Sequence, residues 1–542
     1  MALHKATPGS EWWRSGVIYQ IYPRSFADSN GDGMGDLNGI TQKLLKLKEL
    51  GVDAIWLSPF YRSPQKDAGY DVSDYRDVDP LFGTLSDFDL MVEKAHQLGL
   101  RVMIDLVPNH SSDQHEWFQK ALKSPAGSIE RSYYHFKDGR GENGELPPNN
   151  WVSMFGGPAW TRVEDGQWYC HLFDSSQPDL NWENPIVRAE FEDILRFWLD
   201  RGVDGFRVDQ PHAMAKAAGL PDHPYVDEAG AGFIEGRENP PMWFQDSVHE
   251  IFRSWRKILE SYPGERGMCG EAYVLPLSFM ALWVRPDEFH QTFNFRFLDA
   301  GWDKAKLKAA IDESFEAFDS VGAPSTWVLN NHDVIRHASR FGGEYGRATA
   351  SDGIGPDNPQ PDADLGIKLA RAATLFMLGL PGASYLYQGE ELGLPEHTTL
   401  EPEYRQDPTF FRTGGKRVGR DGCRVPLPWD QSEPALGFSS GGSWLPQPES
   451  YRALARSKQE SNAASTLNLY KEALRLRKEL RLGEGSFDWV ENDGLMSYQN
   501  GDVLVVHNFG SAVQLPAGEV LLSSDPEQKD LLGAGQSVWL KL

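Results

Sequence analysis

Residues 202–212, GVDGFRVDQPH, decide how the chain is interpreted. The apolar residues of its first half are typical of a buried β-strand. Arg207 and Asp209 stand one residue apart near the end of this strand, so their side chains point to the same face. Pro211 then turns the chain away. The stretch therefore predicts a buried strand that ends by placing an arginine beside a carboxylate.

Seven further apolar stretches have the length of a strand, and helical patterns such as residues 85–99 and 185–202 lie between them. Their apolar residues are continuous rather than alternating, which indicates parallel strands covered on both faces. Strands that alternate with helices in this way predict an α/β fold, a (β/α)8 TIM barrel. The seven stretches are 17–23 (VIYQIYP), 54–60 (AIWLSPF), 102–110 (VMIDLVPNH), 268–274 (MCGEAYV), 292–297 (TFNFRF), 326–333 (TWVLNNHD) and 383–391 (ASYLYQGEE).

Two intervals are too long to be ordinary barrel loops. Residues 110–181, rich in Gly, Pro, Asn and Trp, follow the third strand and predict a small inserted subdomain. Residues from about 390 to 459 follow the eighth strand and predict a lid over the barrel mouth. Strand-like stretches near the end predict a C-terminal antiparallel β-sandwich over residues 483–542. The barrel itself is expected to consist of residues 1–109 and 182–482.

The composition narrows the range of partners. Of the 542 residues, 12% are aromatic, and the 18 tryptophans suit a core or a carbohydrate cleft in which sugar faces stack on rings. A net charge of −25 argues against nucleic acid and anionic membranes as partners. The three cysteines imply no disulfide framework. Neither a secretory leader nor a bilayer-spanning apolar run is visible, so we expect a cytoplasmic protein, monomeric or homodimeric.

Carboxylates follow four of the predicted strands at the ends that face the mouth of a barrel. They are Asp105, Asp209, Glu271 and Asp333. For any one of them, a structural salt bridge or a loop turn is the better explanation. Burial of several carboxylates in one place is costly unless function requires it, so the set points to a catalytic site.

Two of these carboxylates have surroundings that suit opposite roles in glycoside hydrolysis, which requires one carboxylate on each side of the scissile bond. Glu271 follows Cys269 and Gly270 in a poorly solvating setting that favours a protonated acid. Asp209 lies on the same strand face as Arg207, whose guanidinium is expected to hold it ionised as a nucleophile. Retention and inversion of the anomeric configuration differ in the separation of the two carboxylates, so both stay open at this point.

Five motifs resemble the signature regions of glycoside hydrolase family 13, the α-amylase family. They are DLVPNH (105–110), GFRVDQP (205–211), GEAYV (270–274), NNHD (330–333) and QPDLN (177–181). The last of them, together with residues 12–40 and 69–84, resembles the oligo-1,6-glucosidase and α-glucosidase subgroup. The resemblance covers nearly the whole chain and implies a retaining mechanism through a covalent glucosyl-enzyme.

The resemblance also implies roles for individual residues. Asp209 is the expected nucleophile, Glu271 the general acid/base and Asp333 the stabiliser of the distorted sugar. An arginine of the lid loop is expected to reach the substrate, and Arg420 matches it better than Arg424, one motif step away. Phe173 and Gln177 are expected at the boundary between the −1 and +1 subsites. The remaining residues expected to bind the terminal glucosyl unit are Asp67, Tyr70, His110, Arg207 and His332.

Residues 28–36, DSNGDGMGD, are rich in oxygen ligands and begin like an EF-hand loop. The twelfth position, where an EF-hand needs a glutamate, is Gly39, so the loop is not an EF-hand. It resembles the calcium or magnesium loop of the same subgroup, which implies structural Ca²⁺ or Mg²⁺ and no organic cofactor. A metal-free loop held by Asx turns is the alternative. The expected ligands are the side chains of Asp28, Asn30, Asp32 and Asp36 and the carbonyl of Met34.

The predicted function is that of an exo-acting α-glucosidase that releases terminal glucose from maltose and short maltooligosaccharides and transfers it to hydroxyl acceptors. Oligo-1,6-glucosidase and sucrose- or trehalose-type activities of the same family are the alternatives, because Gln210 follows the nucleophile where relatives carry Val, Ala or Thr. A non-catalytic transporter heavy chain is a remote alternative, since this chain keeps all three catalytic carboxylates.

Overall fold

Eight parallel strands form the core of the structure, a computed structural model that describes residues 3–4, 11–224, 239–343, 352–492 and 494–542. The strands are β1 (Val17–Ile21), β2 (Ala54–Leu57), β3 (Arg101–Leu106), β4 (Gly205–Val208), β5 (Gly267–Gly270), β6 (Gln291–Thr292), β7 (Thr326–Val328) and β8 (Ala383–Tyr387). Hydrogen bonds order them β6-β5-β4-β3-β2-β1-β8-β7. One backbone bond, from Asn294 N to Thr326 O (3.0 Å), joins the chain after β6 to β7 and completes the ring.

The predicted TIM barrel is confirmed. Every residue of these strands is buried except Arg101, because helices cover the outer face of the sheet and side chains fill its interior. The longer surrounding helices are Leu37–Leu50, Leu85–Gln97, Pro185–Asp200, Val248–Glu260, Lys304–Asp319, Ala363–Leu378 and Thr466–Glu479. Shorter helices are Trp12–Ser15, Glu116–Lys123, Ile129–Ser132, Leu277–Ala281, Phe295–Asp299, His337–Arg340, Pro408–Arg412, Ser450–Leu454 and Arg456–Glu460.

The sixth strand is shorter than predicted, and the stretch TFNFRF is mostly not a strand. After β6 the side chain of Asn294 accepts a hydrogen bond from Phe297 N (3.1 Å) and caps the helix Phe295–Asp299. An asparagine side chain that caps a helix competes with strand pairing for the same backbone donors. This local capping outweighs the β-propensity of the phenylalanines.

A small antiparallel sheet lies between β3 and β4, within the interval predicted as an inserted subdomain. Its strands are Phe136–Asp138, Gln167–Cys170 and Trp160–Arg162, with Gln167–Cys170 in the centre. Single antiparallel bridges, His110 to Asp179 and Tyr134 to Leu180, tie the start of the interval to its end. The insertion is therefore anchored at the mouth of the barrel. A separate two-stranded sheet, Tyr61–Arg62 and Asp74–Val78, follows β2.

The C-terminal part is an antiparallel sheet with two different faces. Residues such as Val505 and Trp539 pack against the helix Ala363–Leu378, whereas alternate residues such as Leu504 and Val538 form a second core with a two-stranded ribbon. This alternation makes the small sandwich that the sequence predicted. The five-stranded sheet has the order Asp488–Val490, Leu495–Asn500, Val503–Asn508, Gln536–Lys541 and Glu519–Ser523, and the ribbon pairs Val513–Gln514 with Leu531–Leu532.

Short turns and helices connect β8 to the last long helix, in the interval predicted as a lid. The helix Pro408–Arg412 reaches the inserted subdomain, because Arg412 Nη1 lies 3.1 Å from Asp174 Oδ1.

Among the described residues, no helix is long and apolar enough to cross a bilayer. The 3₁₀ turns of the structure are Pro23–Ser25, Pro211–Ala213, Leu282–Val284, Glu390–Leu392, Pro402–Tyr404, Asp421–Cys423, Pro434–Gly437 and Leu482–Glu484.

Candidate active site

The carboxyl ends of β4 and β5 place two carboxylates side by side in one pocket. Asp209 N donates to Leu106 O (2.8 Å), and Glu271 N donates to Val208 O (2.9 Å). These bonds continue the sheet ladder one residue beyond each strand, so the backbone fixes both positions. Asp209 and Glu271 are 6% and 7% exposed, which leaves each of them open to the pocket only at its tip.

Arg207 joins three carboxylates beneath this pocket. Its Nη1 lies 2.8 Å from Asp105 Oδ1 and 2.8 Å from Asp209 Oδ1, and its Nη2 lies 2.6 Å from Glu271 Oε2. The guanidinium is buried over the ring of Trp56, 5.0 Å from the centroid. The rigid fork of an arginine suits such bridging. The pairing of Arg207 with Asp209 has the geometry that the strand periodicity predicts, but Arg207 lies behind the carboxylates rather than on the pocket wall.

The two carboxylates differ in how strongly they hold a proton. Burial raises the pKa of Glu271 well above its usual range, and Asp209 raises it further against the opposing charge of Arg207. Burial also raises the pKa of Asp209, to about 7, although Arg207 opposes it. Arg207 lowers this pKa, in the direction that the sequence predicts, but desolvation outweighs the guanidinium and the net shift is upward. A hydrogen bond joins the two carboxyl groups, and the stronger shift leaves the proton on Glu271.

Asp333 has the opposite electrostatic environment. Arg420 Nη1 and Arg424 Nη2 each lie 2.9 Å from Asp333 Oδ1, and His332 Nε2 lies 3.3 Å from Oδ2. Burial alone would raise the pKa of this carboxyl, but His332 and the two guanidiniums together hold it well below its usual range. Asp333 is therefore ionised throughout the physiological pH range.

Arg420 and Arg424 occupy different positions in the site. Arg420 lines the pocket and bridges Asp67 (Nη2 to Oδ1, 3.0 Å), Asp333 and Asp407 (Nε to Oδ2, 2.6 Å). Arg424 donates from Nε to His332 O (2.9 Å) and is buried at 2% exposure. The structure thus places Arg420 where a substrate can reach it and Arg424 behind the wall.

A stack of rings forms one side of the pocket. His332 lies between Tyr22 and Tyr70, with ring centroids 5.7 and 5.2 Å away, and its ring is nearly parallel to that of Tyr70. Gln20 Nε2 lies 2.7 Å from His332 Nδ1 and fixes the ring. Tyr70 donates its hydroxyl to Asp105 Oδ2 (3.1 Å), so the stack is also tied to the carboxylates.

His110 and Phe173 form the side contributed by the chain after β3. His110 Nε2 lies 3.1 Å from Tyr70 O, and burial lowers the pKa of His110 to about 4, which keeps the imidazole neutral. Phe173 packs on His110 with centroids 5.1 Å apart. Gln177 does not line the pocket, because it is fully buried behind it and donates to Asp67 Oδ2 (3.0 Å). Its position is that of a support for Asp67 rather than of a sugar ligand.

The pocket has a cavity volume of about 230 Å³. It brings together all three predicted catalytic residues and, of the predicted substrate ligands, Asp67, Tyr70, His110, Phe173, His332 and Arg420.

Several other residues at or behind the wall of the pocket were not among the predicted site residues. Asp105 and Gln210 carried a signal, as a strand-end carboxylate and an unusual neighbour of the nucleophile, whereas the others lie in loops without a motif. These are Met154, Phe155, Thr409 and Arg417, with Asp407 behind Arg420.

The predicted metal loop is folded by its own side chains. Asp28 accepts hydrogen bonds from three backbone amides and from Ser439 Oγ (2.6 Å), and Asp36 accepts from Gly39 N (2.6 Å) and caps the helix Leu37–Leu50. In the part of the chain that the structure describes, no three His, Cys, Asp or Glu side chains converge to hold a metal ion. Asn30 and Asp32 each accept from a backbone amide two residues on, so the loop is a series of Asx turns. The donors are all oxygens, the type that Ca²⁺ and Mg²⁺ prefer.

A (β/α)8 barrel with two buried carboxyl groups at its mouth, bridged by one arginine and with different affinities for a proton, has the arrangement expected of a glycoside hydrolase. The family model for the α-amylase catalytic domain matches residues 20–485, and the chain belongs to this family, glycoside hydrolase family 13. The chain is an enzyme, which sets aside the non-catalytic alternative.

Named relatives span most of the chain. A probable α-glucosidase of Rhizobium meliloti (strain 1021) is 38% identical over 524 residues, which cover 92% of this chain and 90% of the relative. An oligo-1,6-glucosidase of Parageobacillus thermoglucosidasius is 36% identical over 540 residues, with the same coverage. The crystal structure of the α-glucosyl transfer enzyme XgtA has a TM-score of 0.84 and 37% identity, and it covers 99% of this chain and 100% of its own.

Proposed function

We propose that this enzyme is an exo-acting, retaining α-glucosidase. It removes terminal non-reducing α-linked glucose, with α-1,4 linkages in maltose and short maltooligosaccharides as the preferred substrates. It also transfers the glucosyl unit to hydroxyl acceptors. The observation that carries the proposal is the ion pair of Arg420 with Asp67, beside the pair of Asp209 with Glu271.

Exo-action follows from how the pocket is closed. Asp67 lies after β2 and Arg420 lies after β8, so their 3.0 Å contact spans two loops and forms the wall beyond the catalytic carboxylates. A second contact, Arg412 to Asp174, joins the same lid interval to the inserted subdomain. A polysaccharide chain running through the site would have to break the first contact. A single terminal sugar fits against it, and the charged groups of Asp67 and Arg420 can hydrogen-bond its outer hydroxyls.

Retention follows from the closeness of the two carboxyl groups. An inverting glycosidase keeps its carboxylates about 6.5–9.5 Å apart to hold a water between them. Here Asp209 and Glu271 share Arg207 and a direct hydrogen bond, which leaves no such space. Asp209 attacks the anomeric carbon while Glu271 protonates the departing oxygen, and the carbon–oxygen bond to the leaving group breaks. Glu271, now ionised, then takes a proton from water or an acceptor hydroxyl that attacks the glucosyl-enzyme.

Other linkages and outcomes are alternatives within the same mechanism. The relatives include an α-glucosidase and an oligo-1,6-glucosidase by name, so α-1,6 cleavage is the first alternative. Sucrose- or trehalose-type substrates are the second. Glucosyl transfer is supported by the similarity to a structure named as an α-glucosyl transfer enzyme. A cytoplasmic location and a monomeric or homodimeric state stay predictions from the sequence.

We also propose that residues 28–36 bind structural Ca²⁺ or Mg²⁺. The ligands are the side chains of Asp28, Asn30, Asp32 and Asp36 and the Met34 carbonyl. Asp32 keeps lone pairs for an ion, since only one backbone N–H donates to its carboxylate, whereas an ion replaces some of the hydrogen bonds that Asp28 and Asp36 accept. The ion supplies charge neutralisation to a loop that precedes the helix Leu37–Leu50, and it takes no part in the chemical step.

The decisive experiment combines stereochemistry with a substrate panel. Proton NMR of the first glucose released from p-nitrophenyl α-glucoside is expected to show the α-anomer before mutarotation. Initial rates on maltose, isomaltose, kojibiose, nigerose, sucrose and trehalose, with chromatography of transfer products, then rank the linkages. Initial release of β-glucose refutes retention, and release of maltose rather than glucose from maltotetraose refutes exo-action on single glucosyl units.

A further inference from the structure

Gln210, the residue directly after the nucleophile, lies in an unusual backbone conformation. Its φ and ψ are 42° and 45°, in the left-handed region, and it opens the 3₁₀ turn Pro211–Ala213. This region disfavours most non-glycine residues and β-branched residues most of all. The conformation ends β4 and brings the glutamine side chain to the pocket wall beside Glu271. An unbranched residue suits this position better than a β-branched one.

The side chain of Gln210 contacts the acid itself. Its Nε2 donates to Glu271 Oε2 at 3.1 Å, and Arg207 Nη2 lies 2.6 Å from the same oxygen. Two N–H donors thus converge on Oε2. A carboxyl oxygen that carries a proton is a poor acceptor, whereas the other oxygen of the same group accepts well. The two donors therefore place the transferable proton of Glu271 on Oε1.

We propose that Gln210 is a positioning residue for the general acid, which fixes Glu271 by its Oε2 atom and assigns the proton to Oε1. Because Gln210 and Arg207 both hold Oε2, the carboxyl group of Glu271 does not rotate about its Cγ–Cδ bond, and Oε1 stays directed into the pocket. The proton then passes from Oε1 to the departing glycosidic oxygen as the bond from that oxygen to the anomeric carbon breaks and Asp209 bonds to the carbon. This inference rests on the proposed role of Glu271 as the acid.

The alkaline limb of the pH profile of kcat/KM tests the contact between Gln210 and Glu271, because this limb follows the ionisation of the acid in the free enzyme. A donor to Oε2 stabilises the ionised form, so its removal raises the pKa of Glu271. Gln210→Met keeps an unbranched side chain of similar length without a donor, and the alkaline limb is expected to move up by about 0.5–1 pH unit. Gln210→Glu adds a like charge and is expected to move it further. Gln114→Met, at an exposed site on the inserted subdomain, is the matched control and leaves the limb in place.

A second readout separates positioning from a general structural defect. Departure of p-nitrophenolate needs little protonation, whereas departure of a sugar needs much. Gln210→Met is therefore expected to lose about tenfold in kcat/KM on the disaccharide that the wild type cleaves fastest, and less than threefold on p-nitrophenyl α-glucoside. Equal losses on both substrates, or an alkaline limb that does not move, overturn the inference. If Glu271→Gln itself stays active on disaccharides, the proposed function fails first, so the two failures are distinguishable.

Discussion

Glu271→Gln removes the transferable proton of the proposed general acid without changing the shape of the side chain. Glutamine has the shape of glutamate, and the donors from Arg207 and Gln210 both point at Oε2. The amide oxygen takes that place, both donors stay satisfied, and the amide nitrogen occupies the position of Oε1. The pocket therefore keeps its geometry and loses only a transferable proton. General acid catalysis contributes about 10²–10⁴ in rate, or about 3–5 kcal/mol of barrier.

The assay compares two leaving groups at the optimal pH. On the disaccharide that the wild type cleaves fastest, Glu271→Gln is expected to lose about 10²–10⁴ in kcat/KM. On p-nitrophenyl α-glucoside the loss is smaller, since nitrophenolate leaves without a proton. Glu527→Gln, the same substitution at an exposed position of the C-terminal sheet domain, is expected to match the wild type. Circular dichroism of both variants checks that the fold is retained.

Azide identifies the two carboxylates by the configuration of the product. In Glu271→Ala, azide is expected to attack the glucosyl-enzyme on Asp209 and give α-glucosyl azide, the result of two inversions at the anomeric carbon. In Asp209→Ala, azide attacks the substrate directly and gives the β-anomer. More than a tenth of wild-type activity in Glu271→Gln on the disaccharide, or β-azide from Glu271→Ala, refutes the assignment of the acid.

Three further predictions concern the charges around the pocket and the metal loop. Asp209 must be ionised to attack, and burial raises its pKa to about 7, so kcat/KM is expected to fall about tenfold per pH unit below that value; full activity at pH 5 contradicts this. Asp407→Asn weakens the anchor on Arg420 Nε and is expected to raise KM about tenfold and to lower the melting temperature, because the largely buried guanidinium loses one of its carboxylates; an unchanged KM contradicts the role of that contact. If residues 28–36 hold Ca²⁺ or Mg²⁺, EDTA lowers the melting temperature by a few degrees and either ion restores it; Asp32→Asn is expected to abolish this response, and elemental analysis without bound metal contradicts the proposal.

The fold could be predicted from the sequence because the same pattern, an apolar strand followed by a helix, recurs along the chain. Buried parallel strands need continuous apolar residues, and eight such stretches between helical patterns leave few alternatives to a barrel. The sixth strand was the exception. Asn294 caps a helix within the stretch TFNFRF, so the chain continues there as a helix and not as a strand. Capping depends on the side-chain rotamer, and the pattern of apolar and polar residues gives no information on rotamers.

The candidate site was predictable in part, where a residue lies at a strand end. Asp209, Glu271 and Asp333 come from strand ends, and the barrel geometry gathers them. Loop contacts such as Arg420 with Asp407 depend on how a long interval folds back over the barrel, and no periodicity encodes this. Glu390 and Glu391 follow β8 but do not belong to the site. They are buried against Tyr470 and Tyr19 and do not line the pocket.

The distribution of arginines accounts for the different proton affinities of these carboxyl groups. Among the described residues, Arg207 is the one cation that contacts Asp105, Asp209 and Glu271, so the group carries an excess of negative charge in a buried place. Such a group binds a proton, and the carboxyl most strongly shifted, Glu271, keeps it. Asp333 faces His332 and two guanidiniums, one of which it shares with Asp67 and Asp407, and it does not hold a proton at neutral pH. An acid and a permanent anion thus arise from the same residue types within one pocket, because the number of arginines on each side differs.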